Sequence, residues 1–568
     1  MSKSEGKKSG SDIIISDMSH CKPASAFSKR ESWNRWQLLA YRTYDGEPQS
    51  GVLLGAPSFV TAPEVTMPLN IAGWHAVSIG FWIPKHDYDG AMTIKVKLDN
   101  DPCFSRIFEP EPVFGNQPKD GASLLKEAPF KTADLTGRRL IFAKLDGSAA
   151  QKAYLAYVRL TPLDEGAVRA LQADRVQTDT RIVEITNDGS MHGCKAWTKD
   201  QILEMVEPCR DSDVGKVTWA CCYGDTTNYP SKVGSYICGQ KNHKRIVLDN
   251  NPYYMGHETA MDTFRHLDAK GIIPQAVVAE HVHKMGLKFD AMFRLGMVGY
   301  IPPRRLIGHL NSGFIRAHPQ FRLCMADGTP VEKASYAYPE VRARMLAIIR
   351  ESAELFDIDG ASLAFNRGPL FAAWEQPVLD DFRKEFKADA RKLPLDDPRL
   401  CRIRSRYLTE FVRDARRVLD EVGAAKGKRL ELSAWYYGDP TSALESIREG
   451  LLDSVVCSVN GDTGMDPDII AAANAQGCRC IPGFHGGPLS VAAKRVYPKG
   501  ADGIALWDAD IWGANWPALR RMGHREEFFA LAKTPPERPI IGLKDVEGCN
   551  LEAEHGRFGL AQPAYSGG

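Results

Sequence analysis

The sequence predicts an α/β chain whose larger part is a (β/α)8 TIM barrel, preceded by an all-β sandwich domain. Three observations predict this. From about residue 180, eight short apolar runs alternate with helical patterns over roughly 350 residues, the number and size of a (β/α)8 barrel. Before residue 165 the apolar residues fall instead on every second position between clusters of Gly, Pro, Asn and Asp, as half-buried strands require. The length, 568 residues, exceeds one ordinary domain and suits two.

In chain order, residues 1–28 read as a disordered lead that begins with Ser, Lys and Gly. Residues 29–165 read as a jelly-roll-like sandwich, with strands expected at 51–54, 76–82, 93–99, 139–143 and 153–160. In Thr93-Ile94-Lys95-Val96-Lys97-Leu98-Asp99 the alternation is complete. Residues 180–532 read as the barrel, its strands at 181–186, 216–223, 287–293, 359–365, 429–435, 454–459, 479–484 and 503–507. Helical spacing separates them, as over 341–356 and in Tyr407, Phe411, Ala415, Val418 and Val422. A doubly wound sheet is the alternative, but it would more often show fewer strands and a Gly-rich first turn. Residues 296–335 form an insertion after the third strand, expected to wall the site. Residues 533–568 form a C-terminal tail, Pro-rich and then polar.

Composition narrows the function classes. Lys plus Arg number 72 and Asp plus Glu 71, a net charge of +1 that offers no basic excess for a nucleic-acid backbone or an anionic membrane. No apolar run approaches the roughly 18 residues of a membrane span. The start lacks the apolar core of a secretory signal, so the expected location is the cytoplasm, or outside it after removal of a signal. The thirteen cysteines are odd in number and irregularly spaced, which favours reduced thiols; Cys221-Cys222 and Cys478-x-Cys480 lack zinc-site spacing. Glu280-His281-Val282-His283 looks like a metal cluster on paper but lies in a helical run, and reads as a solvated helix face. With no phosphate loop, nucleophile elbow or dinucleotide fingerprint in context, neither a metal nor a cofactor is expected.

Barrels keep their chemistry at the C-terminal ends of the strands. Those ends carry Asn187 and Asp188 after strand one; Tyr223, Asp225 and Asn228 after two; Arg294 at three; Asn366 and Arg367 at four. Strand five supplies Trp435, Tyr436, Tyr437 and Asp439, six Asn460 and Asp462, seven His485, and eight Trp507, Asp508, Asp510 and Trp512. Aromatic faces beside carboxylates and amides suit a carbohydrate, whose C–H faces stack on rings while its hydroxyls seek polar partners. Some of these tryptophans could equally cap the barrel.

The stretch Ser335-Tyr336-Ala337-Tyr338-Pro339-Glu340-Val341-Arg342, followed by Asp359-Gly360-Ala361-Ser362-Leu363-Ala364-Phe365-Asn366-Arg367-Gly368-Pro369, resembles the family-10-like glycosyl hydrolases, bacterial barrel proteins. Their pattern has a YxxPEVR stretch opening a helix and a fourth strand ending in DGxxxDxxR. The resemblance spans roughly residues 180–530 and implies cleavage of glycosidic bonds, hence a part in polysaccharide degradation with a carbohydrate as partner. It departs at one point: Ala364 stands where the family pattern has its second Asp. A methyl group neither attacks nor accepts a proton, and glycoside hydrolysis normally needs two carboxyl groups. Hydrolysis by carboxylate chemistry, disabled or relocated at Ala364, is therefore expected, with a carbohydrate-binding pseudoenzyme as the alternative. Asp462 is the first candidate for the remaining carboxylate, Asp508 the second, and Asp225 and Asp439 follow. Substrate contacts are expected from Tyr223, Asp225, Arg294, Asn366, Arg367, Trp435, Tyr437, Asn460, His485, Trp507, Asp510 and Trp512. Asp359 lies an odd number of residues before 364, on the opposite strand face, and reads as a structural anchor.

Overall fold

The structure is a computed structural model. It describes residues 11–30, 32–44, 46–57, 60–83, 92–108, 124–145, 152–188, 197–239, 262–299, 312–366, 370–436, 440–458, 466–484, 489–508, 519–526 and 540–547. The chain divides into two compact units, Met1–Gln177 with Pro535–Gly568, and Thr178–Thr534.

The first unit is built of β-strands. They are β1 (Ile13–Ile15), β2 (Phe27–Ser28), β3 (Trp36–Thr43), β4 (Ser50–Ala56), β5 (Val65–Pro68), β6 (Trp74–Ile83), β7 (Thr93–Leu98), β8 (Ser105–Phe108), β9 (Leu124–Asp134), β10 (Arg139–Lys144) and β11 (Ala153–Pro162). These strands pair antiparallel, except for β2, which pairs in parallel with β3. A further strand from the far end of the chain, Ile540–Glu547, lies between β3 and β9. In the larger sheet β11 pairs with β4 on one edge and β6 on the other, so six strands close into a ring. The smaller sheet runs β5-β10-β7-β8. One apolar core joins the two sheets, with Val77, Ile79 and Phe81 from β6, Val96 from β7 and Phe142 from β10 all buried. Alternating residues can share that core because strand side chains change face at every step. Within the stretch expected to be a disordered lead, the three successive β-branched residues Ile13–Ile15 form β1 and pair with Val158–Leu160 of β11.

The second unit is a closed parallel barrel. Its strands are β12 (Val183–Asn187), β13 (Val214–Tyr223), β16 (Lys288–Arg294), β19 (Gly360–Ala364), β20 (Glu431–Tyr436), β21 (Ser454–Ser458), β22 (Arg479–Phe484) and β23 (Ile504–Leu506). These are the eight strands the sequence predicts. Closure is direct, since β12 pairs in parallel with both β13 and β23, which excludes the open doubly wound sheet. Two short strands, β14 (Thr226–Thr227) and β15 (Ser235–Tyr236), extend from the end of β13, and a hairpin of β17 (Arg322–Cys324) and β18 (Pro330–Ala334) lies in the long insertion. Helices cover the strands. That of Pro339–Leu355 starts with Pro at its first turn, where a missing N–H costs nothing. That of Pro398–Lys426 buries Tyr407, Phe411, Ala415, Val418 and Val422 on one face, as their spacing predicts.

The motifs behind the family resemblance are partly architectural. Arg342 is buried and donates from Nη1 to the carbonyls of Tyr336 (2.6 Å) and Ala337 (3.2 Å), tying the turn that enters its helix to the helix itself. Asp359 accepts from the Phe289 amide (2.8 Å) and meets His283 Nε2 at 2.9 Å, an anchor at the start of β19. The helix Pro274–Lys284 is only half the solvated face expected of it. Glu280 is exposed, but His281 is buried against Glu207 at 2.7 Å. The local pattern did not reveal His281's burial because its partner lies 74 residues away.

Inside the barrel, Trp435 crosses toward β22. A Cβ at Gly483 would lie 2.6 Å from Trp435 Cζ3 and 2.9 Å from Val456 Cγ1, so glycine is required here by space. Gly483→Ala will therefore cost about 1–3 kcal/mol by overpacking, read as a lower urea midpoint at unchanged slope.

Candidate active site

Register assembles the site. Tyr223, Arg294, Ala364, Trp435, Val456 and Ile481 are successive partners across six strands, one row facing inward near the C-terminal end of the barrel. Residues in register on parallel strands share a face, so a residue on each strand places the next. Ala364 sits between Arg294 and Trp435, wholly buried in an apolar cluster with Met292, Trp435 and Trp507. Trp435 and Trp507 meet edge to face, centroids 4.9 Å apart at 77°. Both are about 1% exposed, so in this structure they fill the barrel and do not offer open faces.

Above this plug is a charged cluster. Arg294 forms a bidentate ion pair with Asp188, whose side chain is completely buried. The guanidinium lies 4.7 Å from the Tyr223 ring centroid, and the Tyr223 hydroxyl donates to the Asp188 carbonyl at 2.8 Å. Burial opposes the charge of Arg294, but Asp188 more than offsets it and holds the guanidinium firmly protonated. Burial, reinforced by the Asp188 charge, pushes the Tyr223 phenol up. Asp508 closes the ring. Its Oδ1 accepts from the Asp188 amide (2.8 Å), and its own amide donates to Thr186 Oγ1 (3.0 Å). It is 8% exposed, and its backbone is left-handed, with φ +52. A non-glycine residue there carries strain of about 1 kcal/mol or more, held in place by surrounding contacts.

The structure thus brings together Tyr223, Arg294, Ala364, Trp435, Trp507 and Asp508 from the sequence-derived set. Asn366 follows β19, beside Phe365, which stacks on Tyr436 (4.9 Å, 9°). Both amide atoms of Asn366 are shielded from solvent and lack a hydrogen-bond partner among the described residues. Asp225 belongs to a different neighbourhood: fully buried, it meets Ser235 Oγ at 3.5 Å and Arg344 at 3.6 Å. Arg367, Tyr437, Asp439, Asn460, Asp462, His485, Asp510 and Trp512 lie outside the described residues.

Asp188 follows the first barrel strand, and the strand-end pattern by itself assigns it no role. Its position directly after an apolar strand was the available signal, but its partner is 106 residues distant. Arg294, expected to meet substrate, has its fork occupied by Asp188.

No protein-family model and no curated protein matches the chain. Among solved structures, the PgaB (BpsB) glycoside hydrolase domain from Bordetella bronchiseptica is similar at 15% identity and TM-score 0.35, covering 63% of this chain and 99% of that one. The α-L-fucosidase isoenzyme 2 of Paenibacillus thiaminolyticus is similar at 11% identity and TM-score 0.38, over 62% of this chain and 50% of that chain. The GH36 α-galactosidase AgaB of Geobacillus stearothermophilus is similar at 9% identity and TM-score 0.33, over 92% and 62%. At such values these likenesses carry no weight for chemistry, and the barrel assignment stands on its strand pairing.

Proposed function

We propose that this chain is a glycoside hydrolase-like protein that takes oligo- or polysaccharide at the C-terminal ends of its barrel strands. The observation that carries the reading is Asp508, a carboxylate at a barrel strand end on strained backbone beside a second buried carboxylate, since such strain gathers at functional sites. Asn366 supports it, because an amide with no hydrogen-bond partner among the described residues is suited to a pair of sugar hydroxyls. In hydrolysis one carboxyl group protonates the departing glycosidic oxygen as its bond to the anomeric carbon breaks, and water supplies the new C–O bond. Asp508 is assigned the acid–base role, with Asp462 as the other carboxylate. A second reading, carbohydrate binding without turnover, draws on Ala364, which is fully buried against apolar neighbours where the resembled pattern has a carboxylate.

The test incubates the protein, Asp508→Asn and Ala364→Asp with a broad panel of oligosaccharides and polysaccharides, scoring both released sugar and binding. The expected result is release by the parent protein that falls about 10²- to 10⁴-fold in Asp508→Asn with binding retained. Binding without release by the parent would favour the second reading, and cutting only by Ala364→Asp would mark 364 as a vacated catalytic position. Neither binding nor release from any member of the panel would overturn both readings.

A further inference from the structure

The opposite end of the barrel holds a charged cluster that plays no part in the site above. Lys216 of β13 is about 2% exposed and faces three carboxylates from three other strands. Its Nζ lies 3.1 Å from Asp290 Oδ2 on β16, 3.4 Å from Glu184 Oε1 on β12 and 3.1 Å from Glu431 Oε2 on β20. Glu431 has other cations as well, Lys288 at 2.5 Å and Arg479 of β22 at 3.2 Å, both about half exposed. Arg479 is also 3.9 Å from Glu184. These are the charged groups that face Asp290 from the strands around it, and across β19 its neighbour is Gly360.

Three cations face three carboxylates across the whole cluster, but in its buried part Asp290 and Glu184 lie beside one buried ammonium, which hydrogen-bonds Glu431, while the half-exposed Arg479 reaches Glu184 only at 3.9 Å. Oδ1 of Asp290 has no hydrogen-bond partner among the described residues. Two buried carboxylates sharing one cation favour the state in which one of them is neutral, because an ionised group without solvent or a full set of partners is costly.

We propose that the barrel floor is a proton-linked clasp: Asp290 takes up a proton from mildly acidic solution, removing the surplus charge and tightening the contact between β12, β13, β16 and β20. Burial pushes the Asp290 carboxyl up to about 6; Lys216 opposes this, and the charges of Glu184 and Glu431 add to it. Glu431 behaves oppositely, because Lys216, Lys288 and Arg479 outweigh its burial and hold it at about 2. The sign follows from linkage. Between the unfolded value of 3.8 and the folded value of about 6, the native state binds more protons than the unfolded chain, so stability falls as pH rises through this window. Loss of the Glu431 contribution begins only below its unfolded value of 4.5, so acid stabilisation is read between pH 5 and pH 7.5.

The experiment is thermal unfolding of the full chain and of Asp290→Asn at pH 5.0 and pH 7.5. The expected parent Tm for the barrel unit is higher at pH 5.0 by at least about 2 °C, and this difference shrinks in Asp290→Asn, which at pH 7.5 is no less stable than the parent. Glu184→Gln removes the surplus by the other carboxylate and should also flatten the pH dependence, which keeps the test open if Asp290→Asn fails to fold. An equal pH difference in the parent and in the folded variants, or a parent that is less stable at pH 5.0, would overturn the clasp.

Discussion

Arg294→Met will destabilise the barrel unit by about 3–5 kcal/mol, because it leaves the carboxylate of Asp188 buried without its counter-charge. Asp188 receives both arms of the guanidinium, and nothing of its side chain reaches solvent. Tyr223 loses the cation over its ring, a smaller effect of about 0.5–2 kcal/mol within the same total. The readout is the urea or thermal midpoint of the barrel unit, with a fall in Tm on the order of 10 °C. Arg294→Lys should recover only part of this, since an ammonium cannot make the two parallel bonds of the fork. The double variant Arg294→Met with Asp188→Asn should be less damaged than Arg294→Met alone, because the orphaned charge is gone. If Arg294→Met unfolds at the parent midpoint, the pair contributes nothing, and the strand ends are held by the hydrogen bonds of Tyr223 and Asp508 instead.

Lys216→Met is expected to have an effect of similar size, for a related reason at the other end of the barrel. The substitution preserves length and removes the ammonium between Glu184, Asp290 and Glu431. Breaking a buried ion cluster by deleting one partner costs about 3–5 kcal/mol, whereas neutralising the group left behind returns much of it. Lys216→Met with Asp290→Asn should therefore unfold at a higher midpoint than Lys216→Met, a coupling that a double-mutant cycle measures. If the two substitutions add independently, the ammonium and Asp290 do not interact and the close approach has no energetic weight.

The eight barrel strands were legible because each is a short apolar run bounded by helical spacing, and both signals are local. Closure was legible only as a count; pairing of β12 with β23 joins residues more than 300 apart. The anchor role of Asp359 could be argued from strand alternation alone, and its bonds to Phe289 and His283 agree. The burial of Trp435 and Trp507 could not. An aromatic residue at a strand end reads the same from sequence whether it faces a ligand or crosses the barrel, and Gly483 on another strand makes room for Trp435 to cross. Strand β1 at Ile13–Ile15 carried its own signal, three adjacent β-branched residues within a polar lead.

By itself the sequence determined the fold class and the order of the eight barrel strands, because periodicity is a property of neighbouring residues. Only the tertiary structure decided which side chains are free. Arg294 is engaged by Asp188, Asn366 has no partner among the described residues, and Asp508 is held by residues some 320 positions earlier in the chain. Such partnerships depend on strand register around a closed barrel, where a shift of one residue reverses every side chain, and no local pattern encodes that register.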